Sequence, residues 1–185
     1  MRVITGTARG RRLGELKGQE TRPTTDKVKE GVFSALQFDV EGRRVLDLFA
    51  GTGQMGIEAL SRSAASCTFV DRRTDAVKLV RENLAVCELS DRAQVVCADA
   101  MSYLSALRVK YDLVFLDPPY ADDLLERAIE HLARFDILAP RGIIVAESSV
   151  EKQLPALSAP YGVYREYRYG RIKVTVYHRD GEDNT

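Results

Sequence analysis

Histidine and cysteine are scarce, with two and three copies in 185 residues. The cysteines, Cys67, Cys87 and Cys97, are odd in number and have no metal-ligand spacing. Neither a disulfide scaffold nor a Cys/His metal site is expected. Long apolar runs are missing as well. Gly142-Ile143-Ile144-Val145-Ala146 is typical of the longest and falls far short of the roughly 20 residues that cross a bilayer. The opening Met1-Arg2-Val3-Ile4-Thr5-Gly6 lacks the basic-then-apolar pattern of a secretory leader. These absences point to a cytoplasmic protein with no membrane partner, of the size of one domain.

An excess of charge of one sign is absent overall, with 27 Lys/Arg against 27 Asp/Glu, yet the distribution is uneven. Residues 1–29 carry eight basic side chains against three acidic, and residues 161–179 carry five against one. Two basic ends on an acidic body are either solvated faces or, if folded onto one side, a patch suited to phosphate backbones.

Short apolar runs at Arg44–Phe49, Ser66–Val70, Gln94–Cys97, Leu113–Leu116 and Ile143–Ala146 read as buried strands. Between them, Thr74–Leu89 and Leu124–Phe135 repeat apolar residues at helical spacing, and shorter helices are expected after Gly53 and Asp99. Such alternation packs as a parallel sheet with helices on both faces. Met1–Leu16 reads as a hairpin around a Gly/Arg-rich turn, followed by a helix from Asp26 to Leu36. Tyr161–Arg179 reads as a closing β-hairpin.

Four motifs could carry chemistry. In Val45-Leu46-Asp47-Leu48-Phe49-Ala50-Gly51-Thr52-Gly53-Gln54-Met55-Gly56 a strand enters a glycine turn and a helix. The glycines allow a sharp turn and close approach of a ligand, and Asp47 could reach a cationic or amine-bearing group. Asp71 ends the second strand, either as a ribose ligand or as a cap for the next helix. Asp99 ends the third, either accepting from an adenine amine or capping. In Asp117-Pro118-Pro119-Tyr120 an acceptor-only carboxylate, a proline carbonyl and an aromatic face suit a planar amine on a flat ring.

These residues, with Arg2-Val3-Ile4-Thr5-Gly6-Thr7-Ala8-Arg9-Gly10-Arg11-Arg12-Leu13, Thr21-Arg22-Pro23-Thr24-Thr25-Asp26-Lys27-Val28-Lys29-Glu30 and Gly56-Ile57-Glu58-Ala59-Leu60-Ser61-Arg62, resemble a class I S-adenosylmethionine-dependent methyltransferase of the amino-methylating kind. More narrowly, the chain resembles the bacterial RsmD family, which methylates N2 of a guanine in small-subunit (16S) ribosomal RNA. Ser63 stands where that family usually has glycine and Lys29 where arginine is common, and Gly31 interrupts a helix.

The resemblance implies a Rossmann-like α/β fold. Its seven-stranded, mostly parallel sheet would carry an antiparallel C-terminal strand and a small N-terminal β-hairpin/helix extension. It divides the chain into an extension over 1–38, a methyltransferase domain over 39–179 and a disordered tail over 180–185. S-adenosylmethionine would be held by Asp47, Phe49, Ala50, Gly51, Thr52, Gly53, Gly56, Asp71, Arg72, Asp99, Ala100 and Asp117, with no metal. The catalytic corner would be Asp117, Pro118, Pro119 and Tyr120. The partner would be small-subunit rRNA within a ribosomal assembly particle, and the enzyme a monomer.

Arg9, Arg11 and Arg12 are candidates for phosphate contacts, extended by Arg22 and Lys27. The cysteines are read as packing thiols, His131 as a helix surface residue and His178 as an edge-strand one. Gly51-x-Gly53-x-x-Gly56 with Asp71 also fits an NAD-dependent oxidoreductase, in which Asp-Pro-Pro-Tyr has no role. A DNA or RNA adenine-N6 or cytosine-N4 methyltransferase shares the amine clamp, and protein-amide methylation uses a similar loop. A non-catalytic RNA-binding module is the remaining alternative.

Overall fold

A computed structural model of the chain describes residues 1–16, 26–119 and 123–181. The described residues form seven strands: β1 (Arg44–Leu48), β2 (Ser66–Asp71), β3 (Ala93–Cys97), β4 (Tyr111–Leu116), β5 (Leu138–Ser149), β6 (Tyr161–Tyr169) and β7 (Ile172–Arg179). They make one sheet in the order β3-β2-β1-β4-β5-β7-β6. The first five are parallel, and β7 runs antiparallel to both β5 and β6. Helices α1 (Asp26–Ala35), α2 (Gln54–Ser61), α3 (Thr74–Val86), α4 (Ala100–Ala106) and α5 (Leu124–Arg134) connect and cover them.

Alternation along the strands sorts the apolar residues into two layers. Val45, Phe69, Phe115 and Val145 pack with α1, α2, α3 and the N-terminal hairpin. Leu46, Val70, Val114 and Ile144 pack with α4 and α5 on the opposite face. Val3, Ala8 and Leu13 of the first segment belong to the first of these cores, together with Val28, Val32 and Phe33 of α1. The hairpin itself is closed by the Arg2–Arg12 bridge and by bonds such as Val3 N to Arg11 O, 3.0 Å.

Three sequence expectations are corrected by packing. Strand β5 is far longer than its apolar run: it starts at Leu138, paired with Tyr111 of β4, and Glu147, Ser148 and Ser149 continue it by pairing with Val174, Lys173 and Ile172 of β7. His178 is not at the sheet edge: β6 is the edge strand, and His178 on β7 stacks against Tyr164 with ring centroids 4.1 Å apart. Cys97 is not a packing thiol, since it is exposed at the end of β3, whereas Cys67 and Cys87 are buried.

Helices α3 and α5 also end before Leu89 and Phe135. Each closes with paired bonds at a left-handed residue: Leu89 N to Leu84 O beside Glu88 (φ 58), and Ile137 N to Leu132 O beside Asp136 (φ 48).

Candidate active site

Parallel register decides which strand ends meet. Leu48 of β1 lies beside Val70 of β2 and Leu116 of β4, so the residues that follow, Phe49, Asp71 and Asp117, emerge on one rim. Asp71 in turn lies beside Cys97 of β3, which leads to Asp99. The reversal of chain order between β1 and β4 places a crevice at this point, where open α/β sheets hold ligands. Arg44, at the foot of β1, donates through its amide, Nε and Nη2 to the Asp112 carboxylate on β4 at 2.8–3.1 Å, locking that register.

The loop between β1 and α2 is tightly wound. Phe49, Gly51 and Gly53 have φ of 69, 55 and 77, and the Ala50 amide donates to Val70 O at 2.9 Å. A Cβ built on Gly51 would meet nothing within 4 Å, so the loop presents open space there. Gly56 serves packing instead, because a Cβ would lie 2.3 Å from Phe69 and 2.6 Å from Cys67 Sγ.

Asp47 works from beneath the loop. It is 5% exposed, and its Oδ2 accepts the Gly56 amide at 2.9 Å. Helix α2 begins after Gly53, which has no side chain to cap it, so Asp47 supplies the missing acceptor from the strand. Burial pushes its carboxyl up to about 7, and the nearby Asp71 charge acts in the same direction.

Asp71 does not cap α3 itself. Its Oδ2 accepts from Gly51 N and its Oδ1 from Arg73 N, both at 2.9 Å, which ties the second strand's acid to the glycine loop. Asp99 does cap α4, accepting from Ser102 N at 2.9 Å, and this bond holds its carboxyl below the usual range. Arg72 is exposed and Ala100 buried at the same rim. Asp117 is half-buried, Pro118 buried and Pro119 exposed. Tyr120 and Arg22 lie outside the described residues.

Asn83 lies in no motif of the sequence, and Glu58 and Gln54 lie in motifs that assign them no role. Asn83 on α3 is 3% exposed; its Nδ2 donates to Thr52 O at 2.9 Å and its Oδ1 accepts Gly14 N at 2.7 Å, joining the loop to the N-terminal hairpin. Glu58 on α2 accepts from Ile4 N, Thr5 N and Arg62 Nε at 2.8–3.0 Å, and faces the fully buried Lys29 at 3.7 Å. Gln54, the first residue of α2, has a buried Oε1 with no donor among the described residues.

The arginine-rich turn sits elsewhere. Thr52 contacts Met1, whereas Thr7 and Ala8 bond to Ser61 at the other end of α2. Arg9 and Arg11 are therefore separated from the glycine loop by the length of an eight-residue helix, about 12 Å. Arg11 is bonded to Glu88 at 3.0 Å. Lys27 is exposed in the first turn of α1.

Residues 1–178 match the family described as conserved hypothetical protein 95. The chain is 36% identical over 182 residues to the ribosomal RNA small subunit methyltransferase D of Escherichia coli, covering 98% of this chain and 91% of that one. The chain belongs to the RsmD family. It is 41% identical over 184 residues to YlbH of Bacillus subtilis, covering 98% of this chain and all of that one. The solved structure of Escherichia coli yhhF superposes with a TM-score of 0.88 at 36% identity, over 97% of this chain and 98% of that one.

The departures of this RsmD-family chain have physical consequences. Ser63 closes α2 at φ 71, with Ala64 N bonded to Ala59 O and Ser63 N to Leu60 O, a position suited to glycine. Lys29 donates to Arg2 O at 2.6 Å in addition to facing Glu58. Gly31 does not merely interrupt α1: a Cβ there would lie 2.1 Å from the Tyr169 hydroxyl on β6, so its absence lets the hairpin close on the helix.

Proposed function

We propose that the chain methylates the exocyclic N2 amine of a guanine in small-subunit ribosomal RNA, with S-adenosylmethionine as methyl donor. Similarity to relatives such as the Escherichia coli and Haemophilus influenzae ribosomal RNA small subunit methyltransferases D supports the substrate class. The observation that carries the chemistry is the register of β1 with β2 and β4, which sets the glycine loop between Asp71 and Asp117 on one rim.

The rim fits such a donor. Open space over Gly51 admits a ligand against the loop. Each Asp71 oxygen spends one bond on an amide, which leaves lone pairs for ribose hydroxyls. The unsatisfied Gln54 Oε1 at the head of α2 is an acceptor for a ligand ammonium. Asp99 and Ala100 would border the adenine. When bound, the donor supplies an electrophilic sulfonium methyl.

The chain's own residues hold the acceptor. The guanine amine has its lone pair delocalised into the ring and is a poor nucleophile. Asp117 and the Pro118 carbonyl accept its two N–H bonds, which favours a lone pair aimed at the methyl carbon, and Tyr120 would supply an aromatic face for the ring. Pro119 stiffens the corner. Alignment of the reacting atoms is worth up to roughly 7–11 kcal/mol in well-oriented systems. The new N–C bond would form as the methyl's C–S bond breaks, with the thioether as leaving group. The amine, made acidic, would pass its proton along its hydrogen bond to Asp117 and on to water, so Asp117 needs no raised basicity. A paired guanine hides N2, so the base must be unpaired or turned out of its stack.

The test is incubation of the protein with isotope-labelled donor and small-subunit rRNA, deproteinised or assembled, followed by nucleoside mass analysis. N2-methylguanosine is expected. Methyladenosine or methylcytidine would replace the proposed target, and an absence of label would end the proposal.

A further inference from the structure

We infer that the turn between β6 and β7, through Arg168 and Arg171, is where the phosphate backbone of the substrate RNA rests; this rests on the proposed rRNA substrate. Ser149, at the end of β5, pairs with Ile172, which pairs with Tyr169, and Val150 N donates to Arg171 O at 3.1 Å. Strand β5 runs parallel to β4, with Ala146 beside Leu116. The turn therefore projects on the same rim as Asp117. It lies two to three strand spacings across the sheet, on the order of 10–15 Å, on the side away from β2 and β3. A few nucleotides flanking a base held at Asp117 span that distance.

Two of the cations at this turn are left without an ion pair among the described residues. Arg168 and Arg171 are both exposed, and neither forms a salt bridge with a carboxylate among the described residues. Arg168 lies directly opposite Lys173, and like charges in that position repel. Lys173 is turned inward, bonded to Lys152 O at 2.6 Å and 3.6 Å from Glu166. Glu166, two residues before Arg168, is the acidic group nearest in sequence and is turned to Lys173 and Thr175, while the exposed Glu151 follows Val150, whose amide bonds Arg171 O. Glu166 thus answers Lys173, and a polyanion would answer Arg168 and Arg171. By contrast, Arg11 already has Glu88, and Arg9 shares its turn at the far end of α2.

The turn is also held in place. Tyr169 packs over Gly31 of α1, so the arginines ride on a hairpin anchored to the helix rather than on a free loop. Less conformational freedom is then lost on binding.

The test is a salt titration of binding to a deproteinised small-subunit rRNA fragment by wild type, R168A/R171A, R168K/R171K and R9A/R11A. Donor affinity and Tm serve as checks on the fold. In R168A/R171A the slope of log K against log salt should fall by about 1.4–1.8, two phosphates at about 0.7–0.9 each, with donor affinity unchanged. The lysine pair should restore the slope, and R9A/R11A should leave it at the wild-type value. An unchanged slope in R168A/R171A overturns the inference. So does an unchanged slope accompanied by lost methylation of assembled subunits, which would assign the turn to a protein partner. A wild-type chain that binds no rRNA fails before any variant is made, and takes the parent proposal with it.

Discussion

The Asp47 carboxylate, inside the sheet layer, holds the amide of Gly56 in the first turn of α2 at 2.9 Å. It thereby does from nine residues upstream what Gly53 cannot do at the cap. The bond fixes the angle at which the glycine loop leaves β1. It also places an ionisable group where burial disfavours its charge.

A pH dependence of stability follows. The Asp47 carboxyl is raised from 3.8 to about 7, so the folded chain binds this proton more tightly than the unfolded one. Its contribution is full below about pH 4 and is lost as pH rises through 7, at about 1.4 kcal/mol per pH unit within that window. Asp47→Asn keeps an acceptor and removes the charge. Thermal unfolding of the two proteins from pH 4 to 8 should show the variant gaining on wild type as pH rises; parallel curves would show that burial does not control this group.

Ser63→Gly should stabilise the protein. A non-glycine residue in the left-handed region costs roughly 1–2 kcal/mol, and the entropy that glycine adds to the unfolded chain offsets about 0.4–1 of it. A gain of about 0.5–1 kcal/mol is expected, read as a higher denaturant midpoint with an unchanged m value.

Gly31→Ala should do the opposite of what an exposed helix site would. Alanine is favoured over glycine by about 1 kcal/mol in a helix, but here its Cβ would lie 2.1 Å from the Tyr169 hydroxyl and 2.5 Å from Cζ. A net loss of about 1–2 kcal/mol is expected from the displaced ring. In a Tyr169→Ala background the same substitution should become stabilising. A double-mutant cycle checks this, and additivity would rule out the contact as the cause.

Asp117→Ala should abolish methyl transfer while lowering donor affinity far less, because its chemical role is directed at the amine and the donor would keep its contacts with the glycine loop and Asp71. Calorimetric titration with the donor, alongside the labelled assay, separates the two. Near-wild-type turnover would remove Asp117 from the proposed chemistry.

Much of the candidate site is legible in the sequence as local pattern. The run into Gly51-Thr52-Gly53 and the stop at Asp117-Pro118-Pro119 are local patterns, and strand–helix alternation allows few sheet arrangements. Helix ends were harder. Ser63, Glu88 and Asp136 close α2, α3 and α5 without the glycine that usually announces such a turn. The polar end of β5 was invisible to apolar periodicity, because it is held by backbone pairing with β7 rather than by burying apolar side chains.

The sequence by itself determined the alternation of elements, the glycine turn, the acids at strand ends and the two basic segments, all properties of neighbours along the chain. Tertiary structure alone decided that Asp47 faces inward, that Asn83 and Glu58 tie the N-terminal hairpin down, and that one basic segment reaches the rim while the turn of the other points away. Those outcomes depend on strand order and register. Pairings between residues dozens of positions apart set both, and spacing along the chain does not encode them directly.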